Sequence, residues 1–368
     1  MPIYYRYEFL FLNTYSTFEG YRRNQRRNML DARSKEIPEW ILTGKEEKKL
    51  SKEEKKAYYE RLKEYCLKRK LVTTTKGATT IAPKLKKIVE KIALKLCDVF
   101  SGGKAELIVD GLENIPEGAV IFASTHQGLL DNFVWLPQCP KHSVILHGAE
   151  TSKLLLAAQV DIGLVLVSKE KKNIKNRIHA KFDMMSILLH GGSVWMCPET
   201  AWNLSPNKLH LPLNYGFLDT AQKTGIPVVP MIIEYTYESS IEKEIITKVH
   251  IEYGRPIYVG LEDSLIEKLE EYKECVSTIR WKLIEEKGLF HRADITTEEY
   301  INFIKGNLKN LELGKIDVNR ERGGIQGAND EFYVFHHIND VSWDAWGVLK
   351  CTEEAERLKR INRVRGIQ

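Results

Sequence analysis

The sequence lacks any pair of neighbouring cysteines. Its six, Cys66, Cys97, Cys139, Cys197, Cys275 and Cys351, are scattered, and no CxxC occurs. Zinc fingers and a disulfide framework are thereby disfavoured, and a reducing cytoplasm is the expected setting. Long apolar runs are also missing. The best candidates, KLLLAAQVDIGLVLV and GIPVVPMIIEY, are broken by Asp, Gly or Pro. Neither reaches the roughly 20 apolar residues that span a bilayer, so any membrane contact is expected at the surface. The opening residues, MPIYYRYEFLFLN, lack the charged-then-apolar pattern of a signal peptide. A large charge of one sign is absent too. The formal net charge is +5, compatible with an anionic ligand or membrane surface without demanding one. No nucleic-acid partner is expected, and no internal repeat is visible.

What is present is a globular composition, 43% hydrophobic and 29% charged over 368 residues, enough for one large domain with extensions or for two domains. Three regions follow from the patterning. Residues 1–80 read as a polar, helical N-terminal extension. In it SKEE, residues 51–54, has capping-box spacing, and the Lys- and Glu-laced helix after it reads as a solvated face or part of a small bundle. Residues 81–288 read as an α/β domain. Residues 289–368 read as a C-terminal extension, placed by its position in the chain as a lid over the pocket.

Between Pro83 and Phe100, Leu85, Ile88, Val89, Ile92, Leu96 and Val99 form one apolar helical stripe, and Lys84, Lys87, Lys91 and Lys95 cover much of the rest. Such a helix packs on the main domain or lies on an anionic membrane as a peripheral contact; both hold if it docks along one edge. From residue 105 the pattern alternates. ELIVD, AVIFAS, SVILHG, LVLVS, SVWMC, VVPMIIEY and VHIEY read as strands. Helices are expected near 128–136, 151–159, 172–189, 215–224 and 262–287. This predicts a central, mostly parallel or mixed sheet flanked by helices.

Within that domain STHQGLLDNF, residues 124–133, places His126 five positions before Asp131. The strand before it puts His126 in the turn at the carboxyl end of a sheet, where open α/β folds bind ligands. Asp131 falls in the first turn of the next helix, where the dipole favours a carboxylate. An imidazole beside a carboxylate suits general-base chemistry on an alcohol. Ser124 and Thr125 adjoin it, but no GxSxG elbow is present. A substrate hydroxyl is therefore the expected nucleophile, without a covalent enzyme intermediate. Among the ten histidines only His126 has an Asp at this spacing. The alternative is a turn histidine capped by the next helix.

Three more stretches follow in order: GLVLVSK at 163–169, MCPETAWN at 196–203 and IPVVP at 226–230. With HQGLLD, over about 105–260, they resemble the four blocks of the glycerolipid acyltransferase family, which includes glycerol-3-phosphate and lysophosphatidic acid acyltransferases. The resemblance implies that His126 deprotonates an acceptor hydroxyl for attack on an acyl thioester, with Asp131 supporting it. It implies acceptor binding by Gly163, Lys169, Glu199, Thr200 and Trp202, and a pocket shaped by Pro198, Ile226, Pro227 and Pro230. The donor would be acyl-CoA or acyl carrier protein, the acceptor a lipid, with no bound cofactor and no metal.

Three positions depart from the family. Lys169 stands for an Arg, keeping charge but losing the planar two-pronged contact. Thr200 replaces a Gly and Trp202 an Arg. Either Lys208 or Arg177 substitutes as a phosphate ligand, or the acceptor is a glycolipid-type molecule without a phosphate. Cys197, beside Pro198, reads either as a small core residue or as a nucleophile with His126 as its base, as in a thioesterase. A non-catalytic lipid-binding relative is the third alternative. His336, His337 and Asp340 form no metal site with a second cluster and read as core or surface residues.

Overall fold

The computed structural model describes residues 37–69, 105–126, 131, 143–148, 164–167, 174–200, 209–210, 213–240 and 243–287. The stretch 83–100, the C-terminal 289–368, and Gly163, Lys169, Trp202 and Lys208 lie outside the described residues.

Seven strands form one sheet: β1 Glu106–Asp110, β2 Ile121–Ser124, β3 Ser143–Gly148, β4 Leu164–Val167, β5 Ser193–Met196, β6 Val228–Ser240 and β7 Lys243–Tyr253, in the spatial order β1-β7-β6-β2-β5-β3-β4. From β4 to β6 all pairings are parallel; β7 runs antiparallel to β6, and β1 is parallel to β7. The sheet is thus mixed and mostly parallel, as its strand patterns predict. The inner strands are buried on both faces, which explains the near-continuous apolar runs of IFAS and SVWM.

Every strand candidate is a strand, but β6 and β7 extend well beyond VVPMIIEY and VHIEY. Their added residues, TYESS and KEIITK, pair with each other as one long antiparallel ladder. These polar residues carry no core signal, so periodicity alone gives no reason to place them in the sheet.

Alternation along β2 sends residues to opposite faces. Ile121 and Ala123 join a core built with α3 (Ile174–Leu189), α4 (Gly216–Thr224) and α5 (Leu265–Lys287). Val120 and Phe122 join a second core with Ile145, Trp195, Met231, Ile251 and Tyr253. Two glycines have positions that demand them. Gly225 ends α4 with φ 77°, and its N–H donates to the Ala221 carbonyl. At Gly111, φ 74°, a Cβ would stand 2.2 Å from the Tyr253 carbonyl oxygen.

The capping box read at SKEE is present. Ser51 receives the Glu54 N–H, and Glu54 accepts from the Ser51 N–H at 2.8 Å, opening α2 (Lys52–Lys68). The same device, with Thr43 and Glu46, starts the one-turn α1 (Gly44–Glu47). Helix α2 is not solvated all round. Tyr58, Tyr59, Leu62 and Cys66 are buried against Phe182 and Met185 of α3. Lys223 of α4, itself buried, pairs with Glu47 at 2.7 Å and Asp219 at 2.9 Å, and Arg69 pairs with Asp183 at 2.6 Å. Tyrosines and a cysteine spaced along a Lys/Glu-rich helix are what bind it to the sheet-covering helices.

Helix α5 is fastened from within. Arg280 and Glu234 of β6 are both fully buried and paired at 3.0 Å, and Arg280 also donates to the Leu209 carbonyl at 2.8 Å. Taking away one member of such a pair leaves the other charge in a medium that solvates it poorly. Arg280→Met is expected to cost about 3–5 kcal/mol of stability, read as a lower urea midpoint.

Candidate active site

Strand β2 is central, with β6 on one side and β5 on the other. Beyond its end the chain stays pinned to β6. The Thr125 N–H donates to the Met231 carbonyl at 3.0 Å. The Thr125 hydroxyl donates to the Ile233 carbonyl at 3.2 Å and accepts from the Ile233 N–H at 2.9 Å. From α5, the Tyr272 hydroxyl donates to the Ala123 carbonyl at 3.2 Å. These clasps fix the backbone that presents His126 at the carboxyl end of the sheet, the position expected from the sequence.

His126 Nδ1 and Asp131 Oδ2 are 2.7 Å apart. Asp131, helical in backbone, has a side chain with no exposure, while that of His126 is 20% exposed. The ring is therefore held on its Nδ1 side by a buried carboxylate and keeps an edge toward the surface. The other carboxylate oxygen of Asp131 accepts a hydrogen bond from the buried Tyr235 hydroxyl of β6. Tyr235 thus belongs to the site, although nothing in the sequence around Asp131 points to a residue over a hundred positions away. Its one signal is a tyrosine at the end of an apolar strand, a side chain with a polar tip that must find a partner when buried.

Cys197 completes the surroundings. It follows β5, the strand beside β2, and its Sγ lies 3.5 Å from Ser124 Oγ. Burial alone would lower the His126 pKa. Interaction with Cys197, then the hydrogen bond and the charge of Asp131, outweigh it, and the ring is raised to about 10.

The turn after β5 holds Pro198 and Glu199, both buried, and the Thr200 N–H donates to the Cys197 carbonyl at 3.0 Å. Thr200 has φ 58°, in the left-handed region that a β-branched residue seldom occupies. The turn therefore keeps the backbone shape a glycine would give it, although threonine replaces glycine. Glu199 and Cys197 both bear on Tyr272. Its burial, then the charges of Glu199, Cys197 and Cys275, push its pKa well above the ordinary value, so it remains a neutral hydrogen-bond donor.

Ile226 and Pro227 precede β6 at its opposite end, where the Pro227 carbonyl accepts the Ile121 N–H at 3.0 Å. Five residues of strand separate Ile121 from His126, about 16 Å at the usual rise. Pro230 is buried opposite Ala123 and accepts the Gly254 N–H at 2.8 Å. Arg177 is exposed on the first turn of α3.

Two outcomes follow from this geometry. Tyr235→Phe removes a donor from a buried carboxylate and is expected to cost about 1–3 kcal/mol in urea unfolding. Combined with His126→Ala, it is expected to be non-additive by at least about 0.5 kcal/mol, because both side chains act on Asp131. Thr200→Gly relieves the left-handed strain, worth about 1–2 kcal/mol, against a larger glycine entropy in the unfolded chain. A net gain of up to about 1 kcal/mol is expected, read as a raised urea midpoint.

Comparison with known proteins bears on the same stretch. No curated protein sequence matches the chain. Among solved structures, the 1-acyl-sn-glycerophosphate (LPA) acyltransferase PlsC from Thermotoga maritima is similar, with 22% identity and a TM-score of 0.43, over 54% of this chain and 81% of that one. The family model described as Acyltransferase matches residues 106–234. That segment contains β1 to β5, the first half of β6 and the His126–Asp131 pair.

Proposed function

We propose that the protein is an O-acyltransferase. It moves a fatty acyl group from a thioester of coenzyme A or acyl carrier protein to a hydroxyl of glycerol-3-phosphate, a lysophospholipid or a related lipid acceptor. The observation that carries this reading is the His126 Nδ1–Asp131 contact of 2.7 Å at the end of the central strand, within the segment that matches the family. Asp131 fixes the tautomer and orientation of the ring, leaving Nε2 to take the proton of the attacking hydroxyl. The buried carboxylate then stabilises the imidazolium as it forms.

The positive φ of Thr200 supports a working site over a non-catalytic relative. The turn beside His126 retains its shape at the cost of strain, and such strain persists only where the surroundings over-determine it. Glu199, buried in that turn, is assigned to the acceptor side of the site together with Thr200. Gly163, Lys169 and Trp202 are proposed as further acceptor ligands on the sequence resemblance alone. No helix among the described residues is long and apolar enough to cross a membrane. A peripheral attachment through 83–100, on the cytoplasmic side, is the arrangement we propose for reaching lipid acceptors.

Transfer from palmitoyl-coenzyme A and from palmitoyl-acyl carrier protein, measured by mass spectrometry with a panel of phosphorylated and unphosphorylated acceptors, tests the reading. Wild type is expected to form an ester product. His126→Ala is expected to lose at least about 100-fold in rate while keeping its circular dichroism spectrum. An active His126→Ala protein would reject the assignment. A requirement for phosphate on the acceptor would reject the glycolipid version, which the tryptophan at 202 suggests.

A further inference from the structure

Strand β6 does more at the site than pair with β2. Its Met231 and Ile233 receive the chain that leaves β2: the Thr125 N–H donates to the Met231 carbonyl at 3.0 Å, and the Thr125 side chain bonds to both backbone groups of Ile233. Two residues further along, the Tyr235 hydroxyl donates to Asp131 Oδ1, while Asp131 Oδ2 lies 2.7 Å from His126 Nδ1. Residues 233 and 235 share one face of the strand and stand about 7 Å apart at the usual rise. One strand thus fixes the residue before the histidine and, separately, the histidine's carboxylate partner. The regular ladder breaks just past this point. The β6–β7 register shifts between Thr236 and Tyr237, with Thr247 as the extra residue on β7. Bulges re-aim side chains and recur beside active sites.

The surroundings direct the Tyr235 hydroxyl at Asp131. Tyr235 is buried in one core with Phe122, Met231, Ile233 and Val249, so its ring is held by packing. Strand alternation sends the neighbouring titratable groups to the other face, Glu234 of β6 and His250 of β7 among them, and Glu234 is paired there with Arg280 at 3.0 Å. Tyr272 of α5 bonds to the Ala123 carbonyl, and Cys197 after β5 lies 3.5 Å from Ser124.

We propose that Tyr235 is a positioning residue for the base: through Asp131 it commits one carboxylate oxygen to the His126 ring and keeps the Nδ1 proton on the imidazole. The proposal rests on the acyltransferase reading. It adds a third member that lies one position beyond the matched segment, which ends at residue 234.

A carboxylate can bond a ring through either oxygen. With the phenol on Oδ1, Oδ2 is left to face Nδ1. A hydrogen bond to a carboxylate also favours its charged form. The phenol takes a share of that charge, so the carboxylate accepts from Nδ1–H without drawing the proton across. The ring then stays in the tautomer whose Nε2 takes the proton of the attacking hydroxyl. Without the phenol, the same buried charge leans on the ring alone, and the Nδ1 proton shifts toward it.

The test uses the full-length protein, palmitoyl-coenzyme A or palmitoyl-acyl carrier protein, and an acceptor that supports transfer. Tyr235→Phe is expected to lose about tenfold or more in kcat, with both KM values changed less than about twofold. Asp131→Ala is expected to lose more. Adding Tyr235→Phe to Asp131→Ala is expected to cost less than about twofold further, because the phenol works through the carboxylate. Asp131→Asn serves if the alanine variant fails to fold by circular dichroism. A second readout needs no turnover. In protein labelled with nitrogen-15 histidine, the His126 Nδ1–H proton resonance, identified by its loss in His126→Ala, is expected to move downfield in Tyr235→Phe. With 3-fluorotyrosine at 235, which keeps the ring and donates more strongly, it is expected to move upfield. An undiminished Tyr235→Phe rate, a loss that persists in full without Asp131, or an unmoved resonance would overturn the proposal and leave the acyltransferase standing. Wild type that transfers from no donor to any acceptor would overturn both.

Discussion

A carboxylate with no access to water, Asp131, imposes the constraint on which the rest of the site depends. An isolated charge in such a place is costly, and proteins keep one only where hydrogen bonds and opposite charge replace its hydration. Asp131 finds both. The His126 ring meets one oxygen at 2.7 Å and the Tyr235 hydroxyl meets the other. These groups come from the end of β2, the residue 131 turn and β6. Keeping the carboxylate satisfied therefore fixes the relation between three parts of the chain, and a ring held on one side by a charged partner presents its other nitrogen in a defined direction. The cost of burying the acid is what orients the ring.

That orientation is only as good as its platform. β2 lies in the middle of the sheet, and its inward residues are shared between two cores. Tyr272 from α5 bonds to the carbonyl of Ala123, and Thr125 prolongs the β2–β6 ladder with its side chain after the strand ends. The α5 helix is in turn tied to β6 by Arg280 and Glu234. Placing reactive groups on short turns after rigid, parallel strands gives them precision that a long loop does not. The helices α3 and α4 contribute at one remove by covering the face of the sheet opposite the Phe122 side; α2 packs on α3, and Lys223 of α4 ties Glu47 of α1 to them.

Local patterns in the sequence were sufficient for the strands, for α3 to α5, for the box at Ser51 and for the His126–Asp131 pair, because each is written in residues a few positions apart. What escaped was long-range. Tyr235 reaches Asp131 across 104 positions, and Arg280 reaches Glu234 across 46. A single chain without alignment gives no signal for such pairs. The outer halves of β6 and β7 escaped because their strand character shows in their pairing with each other. Helix α2 was legible as a helix but not as a docked one, since a few tyrosines among lysines and glutamates leave little apolar periodicity. Ile226 and Pro227 show a different failure. Neighbours of a site in block order need not be neighbours in space, and the register of β6 on β2 sends them to the far end of the sheet.

The turn Cys197–Thr200 joins these threads. It holds Thr200 in the left-handed region and places Cys197 beside Ser124 at the end of β2. If the turn were free to relax, threonine would leave the left-handed region and the strain would vanish. It stays because the turn is bound at both ends. The Thr200 N–H bonds to the Cys197 carbonyl, and the Asn214 N–H bonds to that of Pro198. The same bonds that hold Thr200 in strain hold Cys197 against Ser124 at the end of β2.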